Sequence, residues 1–85
     1  MSEPLVQQTI VRAVQRTFDA WSKEHPNLAA VIDRIALTEQ AVESIRDSQE
    51  YRDAVAGYHK GMSETDLLNR LLDLAGPVIS RLLTG

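Results

Sequence analysis

The sequence predicts an all-α fold, a small bundle of about four helices, three long and one short. Apolar residues recur at spacings of three and four over most of the chain, which is the period of a helix with one buried face. The period-two alternation of a half-buried strand is missing. Glycine and proline fall at the points that separate one periodic segment from the next, as expected for helices joined by short turns.

The length of 85 residues fits one domain, residues 1–85, with a thin core. A domain of this size usually needs a disulfide, a metal or a partner chain to be stable. Cysteine is absent, which excludes disulfides and most soft-metal sites. We therefore expect oligomerisation to complete the bundle, with a dimer favoured.

Charge and hydropathy argue against several classes of protein. The formal net charge is −3 with both signs interspersed, whereas nucleic-acid binders usually carry a basic excess. No apolar run approaches the roughly 20 residues that span a bilayer, so no membrane span is expected. No basic region precedes an apolar stretch at the N-terminus, so no signal peptide is visible. The expectation is a soluble, cytoplasmic protein.

The first predicted helix covers residues 4–24. Ser2 is a suitable cap, and Pro4 suits a first turn, where a missing N–H costs nothing. Pro26 disfavours helix at the preceding residue and ends the segment. The apolar face has Val11 at its edge and consists of Val6, Ile10, Val14, Phe18 and Trp21. The opposite face carries a basic ridge, defined as Arg12, Arg16 and Lys23.

The second predicted helix covers residues 27–46, with Asn27 as its cap. Its apolar stripe consists of Leu28, Val31, Ile32, Ile35, Val42 and Ile45. Leu37 does not fit this stripe and points to the side of Ala41.

Beyond residue 46 the apolar phase changes. Tyr51, Val55 and Tyr58 would lie opposite the stripe if the helix ran unbroken to residue 60. One interpretation is that Asp47-x-x-Glu50 is a capping box that starts a separate helix, residues 49–60. The other is one long helix with partners on two faces, and the break is favoured. Gly61 is then available for a left-handed cap.

The fourth predicted helix covers residues 64–84, with Ser63 as cap ahead of Asp66. Its ten apolar residues fill an arc of roughly 180°, against about 100° for an ordinary surface helix. Gly76-Pro77 interrupts the segment, but the apolar phase is the same on both sides. Pro77 falls on the polar half, so we expect one helix that is kinked at Gly76-Pro77.

The wide apolar face suggests a non-enzymatic oligomerisation or protein-interaction module, such as a subunit, adaptor or accessory of a larger assembly. The partner would be a second copy or another helical protein. The predicted partner-binding residues are Leu67, Leu68, Leu71, Leu72, Val78, Ile79, Leu82 and Leu83. The same face can equally be the core of this domain, and both interpretations can hold together.

The alternative function is a small dimeric regulator that binds nucleic acid through the basic ridge of Arg12, Arg16 and Lys23. Asp19 lies beside that ridge, and no second basic element supports it, so nucleic acid is the less favoured partner.

An enzyme is not expected, and neither is a cofactor or a metal. The acidic residues of the second segment recur near one helical turn: Glu39, Glu43, Asp47 and Glu50. A di-metal carboxylate bundle needs Glu-x-x-His pairs, and neither histidine has a glutamate three residues before it. No serine stands at a recognisable spacing from a histidine and an acid, and no glycine-rich phosphate loop is present.

Overall fold

A computed structural model describes the backbone of residues 3–84 and the side chains of residues 5–83. Over this range the chain forms five helices and no strand, so the predicted all-α bundle is confirmed. The predicted cap at Ser2 lies outside the described residues. The helices are α1 (Glu3–Glu24), α2 (Pro26–Ala29), α3 (Arg34–Arg46), α4 (Gln49–His59) and α5 (Glu64–Thr84).

The core lies between α5 and the other long helices. α5 packs most extensively along α1, and it also contacts α3 and α4. The predicted apolar face of α1 is buried at Val6, Ile10, Val14 and Phe18. Trp21 is only partly buried and stacks on His25 with ring centroids 5.1 Å apart. α5 is therefore the element around which the bundle is built.

The single helix predicted over residues 27–46 is wrong. The chain leaves helical structure after Ala29 and re-enters it at Arg34. Asp33 has an extended backbone, and its carboxylate accepts a hydrogen bond from the Ala36 N–H at 3.1 Å, which caps α3. Asn27 is not a cap, because it lies inside α2, a helix of four residues that Pro26 opens.

This break changes which residues of α3 face the core. Ala41 and Ile45 are fully buried, and Leu37 packs against the same core. These three residues are spaced by four and so share one face of the helix. Ile35, which the predicted stripe placed inside, is 74% exposed.

α3 and α4 are separate helices, as the favoured interpretation predicted, and the single long helix is wrong. The capping residue is Ser48, one position after the predicted capping box begins. Its hydroxyl accepts a hydrogen bond from the Tyr51 N–H at 3.1 Å and donates one to the Ile45 carbonyl at 2.6 Å. One side chain thus ties the end of α3 to the start of α4.

Gly61 closes the turn after α4 with a φ of 115°, so the predicted glycine cap is confirmed. The Gly61 N–H donates to the Tyr58 carbonyl at 3.1 Å, and the Met62 N–H donates to the Gly57 carbonyl at the same distance. A side chain is strained at such a φ because its Cβ approaches the backbone.

We expect Gly61→Ala to lower the free energy of unfolding by about 1–2 kcal/mol. Apart from its own chain neighbours, a Cβ built at Gly61 meets no heavy atom within 4 Å, so the loss would come from the local backbone alone. Urea denaturation followed by circular dichroism measures it. Lys60→Ala, at the neighbouring exposed position with a φ of −91°, is the control and should change stability by less than about 0.5 kcal/mol. Equal effects of the two substitutions would contradict the strain argument.

α5 begins at a cap in which the Ser63 hydroxyl accepts a hydrogen bond from the Asp66 N–H at 3.1 Å. The helix then continues through Pro77 to Thr84, so its predicted continuity is confirmed. Pro77 is exposed while Val78 and Ile79 are buried. Because a helix bends away from an interior proline, a kink at this position would wrap α5 around the core, and the kink itself stays a prediction.

Candidate interaction surface

The eight α5 residues predicted to bind a partner fall into two groups. Four are buried in the core of the chain itself: Leu67, Leu71, Val78 and Ile79. Four are partly buried and pack against that core: Leu68, Leu72, Leu82 and Leu83. The first group offers no surface to a partner while the helices stay together. For the second group, contact with a partner stays a prediction.

Three large apolar side chains within the described residues are exposed instead, all where α2 gives way to α3. Leu28 is 54% exposed and Val31 is 79% exposed, and Ile35 completes the set. We call these three residues the apolar turn. The Val31 N–H donates to the Leu28 carbonyl at 3.1 Å, so the first two belong to one tight turn. The single helix predicted over residues 27–46 places all three in its apolar stripe, and the break after Ala29 removes them from it.

Arg34, the first residue of α3, joins the end of the apolar turn region to α1. The Arg34 guanidinium donates to the Asp19 carboxylate at 2.6 Å and to the Gln15 carbonyl at 3.3 Å. Its central carbon lies 5.8 Å from the centroid of the Phe18 ring, within reach of a cation–π contact. The ion pair is half exposed and stabilises the fold by less than about 1 kcal/mol. Its effect is to hold the start of α3 beside α1.

A shallow groove runs between α1 and α3, and we call it the α1–α3 groove. It consists of three adjoining hollows of about 380, 310 and 370 Å³ that share lining residues. Val11 and Val42 line it on the α1 and α3 sides. At one end it is lined by Ile35, so the groove continues into the apolar turn. The polar lining residues are Gln7, Gln8, Gln15, Arg34, Thr38, Glu39, Glu43 and Arg46.

The two rims of the groove differ in charge. Arg12 lines the α1 side, next to Val11. Glu39 and Glu43 line the middle of the α3 side, between Arg34 at the start of α3 and Arg46 at its end. At its middle the groove therefore has an arginine on the α1 side and two glutamates on the α3 side, while the charges that line α3 as a whole balance.

The other charged groups singled out from the sequence lie at the surface. Arg12, Arg16 and Lys23 are all exposed, and nucleic-acid binding by this ridge stays a prediction. The acidic set is divided by the break between α3 and α4, with Glu39 and Glu43 before it. Within the described residues, no group of three or more histidines and carboxylates is placed to hold a metal ion.

None of the helices over residues 3–84 is long and apolar enough to cross a bilayer. No family model, no curated protein and no solved structure matches the chain.

Proposed function

We propose that the chain is a non-enzymatic protein-interaction module, a subunit, adaptor or accessory of a larger assembly, that binds through the α1–α3 groove and the apolar turn. The observation that carries the proposal is the exposure of Val31 and Ile35, at 79% and 74%, beside a groove lined by Val11 and Val42. Single exposed apolar residues are ordinary, but a contiguous apolar region is typical of an interaction site.

The shape of the groove favours a protein partner over a small molecule. Pockets for small molecules enclose most of the ligand and direct a few polar groups at it. The hollows of the α1–α3 groove are open to solvent, and their charged residues stand on the rims. Apolar residues at the centre with polar residues around them is the usual arrangement of a protein interface.

We also propose a second contact region on α5. Leu68, Leu72 and Leu83 are spaced by four and eleven residues, which places them on one edge of the helix, and all are partly buried. A larger partner could cover this edge as well. We also propose that the partner is a helical protein or a second copy of the chain. We propose a cytoplasmic location, because a chain without cysteine needs no oxidising compartment.

A photo-cross-linking amino acid placed at position 35 in cells that produce the chain tests this function. We expect protein adducts from position 35 and few from position 40, because Gln40 is an exposed α3 residue that does not line the groove. Mass spectrometry identifies each adduct. The absence of protein adducts from position 35, or equal yields from both positions, would contradict the proposed function.

Ile35→Glu should weaken the association about tenfold or more. Burying an isoleucine side chain stabilises a contact by roughly 1.5–3 kcal/mol, and 1.4 kcal/mol is tenfold in affinity. The readout is the adduct yield from a cross-linker moved to position 31. Gln40→Glu adds the same charge to the same helix outside the groove and should leave that yield unchanged. A loss of equal size in both variants would point to a general effect of charge.

A further inference from the structure

We propose that the α1–α3 groove binds a second copy of this chain, in a two-fold dimer in which α1 of each protomer lies against α3 of the other. This inference rests on the proposed function and names its partner. Three observations carry it: the antiparallel order of α1 and α3, the opposite charges of the two sides at the middle of the groove, and the continuity of the groove with Ile35 of the apolar turn.

α1 and α3 run antiparallel along the groove. At one end Arg34, which begins α3, bonds to Gln15 and Asp19 of α1. At the other end Gln7 shares a hollow with Arg46, which ends α3. Residue numbers therefore decrease along α1 in the direction in which they increase along α3. Arg12 lies at the level of the middle of α3.

Two symmetric arrangements can bring such faces together. A two-fold axis parallel to the helices places α1 of one protomer on α3 of the other, at the same level along the groove. An axis across the helices places α1 on α1 and α3 on α3. In an isologous interface every contact occurs twice, so any contact between like charges also occurs twice.

The charges of the rims select the first arrangement. It brings Arg12 of each protomer toward Glu39 and Glu43 on the α3 rim of the other. The second arrangement sets Arg12 against its own copy and the two glutamates against theirs, and like charges facing each other disfavour association.

The apolar residues lie where this arrangement would bury them. Val11 is partly exposed on the α1 side, and Ile35 extends the apolar region at one end, while Val42 forms the already buried floor between the two sides. α3 has 13 residues and is therefore about 20 Å long, which makes a face below the size of a permanent dimer interface. We expect a reversible dimer with a dissociation constant in the micromolar range, roughly 1–100 µM.

Charge reversal on the two rims tests the pairing, with molar mass measured by sedimentation equilibrium. Arg12→Glu alone and Glu39→Arg with Glu43→Arg should each weaken the homodimer at least tenfold, because each places like charges together twice. An equimolar mixture of these two variants should recover dimers close to the wild-type level, since both contacts of the mixed dimer then join opposite charges. Arg81→Glu, on the exposed side of α5, is the matched reversal control and should dimerise as the wild type does.

Each outcome is decisive for the dimer. A wild-type chain that stays monomeric up to about 1 mM overturns it. A dimer that survives both rim variants, or a mixture that fails to recover association, overturns it as well. The proposed function is tested separately: adducts of position 35 that contain only another protein would support the interaction module while excluding the second copy as its partner.

Discussion

Leu71→Ala is expected to lower the free energy of unfolding by about 2–5 kcal/mol, the range measured when a buried leucine is truncated. Leu71 is fully buried in α5, the helix that contacts all three other long helices. A chain of 85 residues has a total stability of about 4–13 kcal/mol, so this one substitution removes a large part of it. Urea denaturation followed by circular dichroism, at one fixed protein concentration, measures the change.

Leu72→Ala is the matched control for this prediction. Leu72 is the next residue of the same helix and is only partly buried, so the same truncation should cost less than half as much. Equal losses at both positions would show that α5 presents both leucines to a partner or to the core alike. That result would contradict the difference in burial between Leu71 and Leu72.

α1 and α5 could be predicted closely because their boundaries depend on local chemistry. Ser63 precedes the α5 apolar run and caps it with its own hydroxyl. Apolar residues keep the same helical spacing on both sides of Pro77, and this spacing correctly predicted a continuous helix. A loop at Pro77 would have disrupted it. Burial of Leu67 and Leu71 on one side of α5 followed from the same periodicity.

The second segment could not be predicted in the same way. Leu28, Val31 and Ile35 have helical spacing, so the pattern alone joins them to the buried residues of α3. The Asp33 cap starts a new helix and sets a new phase. Leu37 lay outside the predicted stripe, and that misfit was an indication in the sequence that the predicted stripe crossed a break.

The α1–α3 groove depends on packing between residues far apart in the chain. Val11 stood at the edge of the first apolar face, and Glu39 and Glu43 belonged to an acidic edge of the second segment. A helical wheel shows which residues lie at the edges of one helix. It does not show which edges of two helices pack against each other. The bond from Arg34 to Asp19, 15 residues apart, lies where the two edges adjoin, and nothing in the local pattern indicates it.

Pro77→Ala is expected to raise the free energy of unfolding by about 2 kcal/mol. An interior proline costs a helix about 3 kcal/mol, because it lacks the N–H that would bond to the Asp73 carbonyl and its ring crowds that carbonyl. Alanine removes this cost but also loses the restriction that proline imposes on the unfolded chain, about 0.4–1 kcal/mol. Pro77 is exposed, so no packing of its ring is lost.

Pro77→Gly separates the hydrogen bond from helix propensity. Glycine also restores the N–H but is about 1 kcal/mol less favourable than alanine in a helix, so it should stabilise by about that much less. Both variants are measured by thermal and urea denaturation beside the wild type. A fall in stability with alanine would mean that the bend is needed to seat Val78 and Ile79 in the core, and that a straight α5 pulls them out. A higher free energy of unfolding in both variants, with the larger gain for alanine, would show that Val78 and Ile79 pack in the core without Pro77. Pro77 would then not contribute to stability.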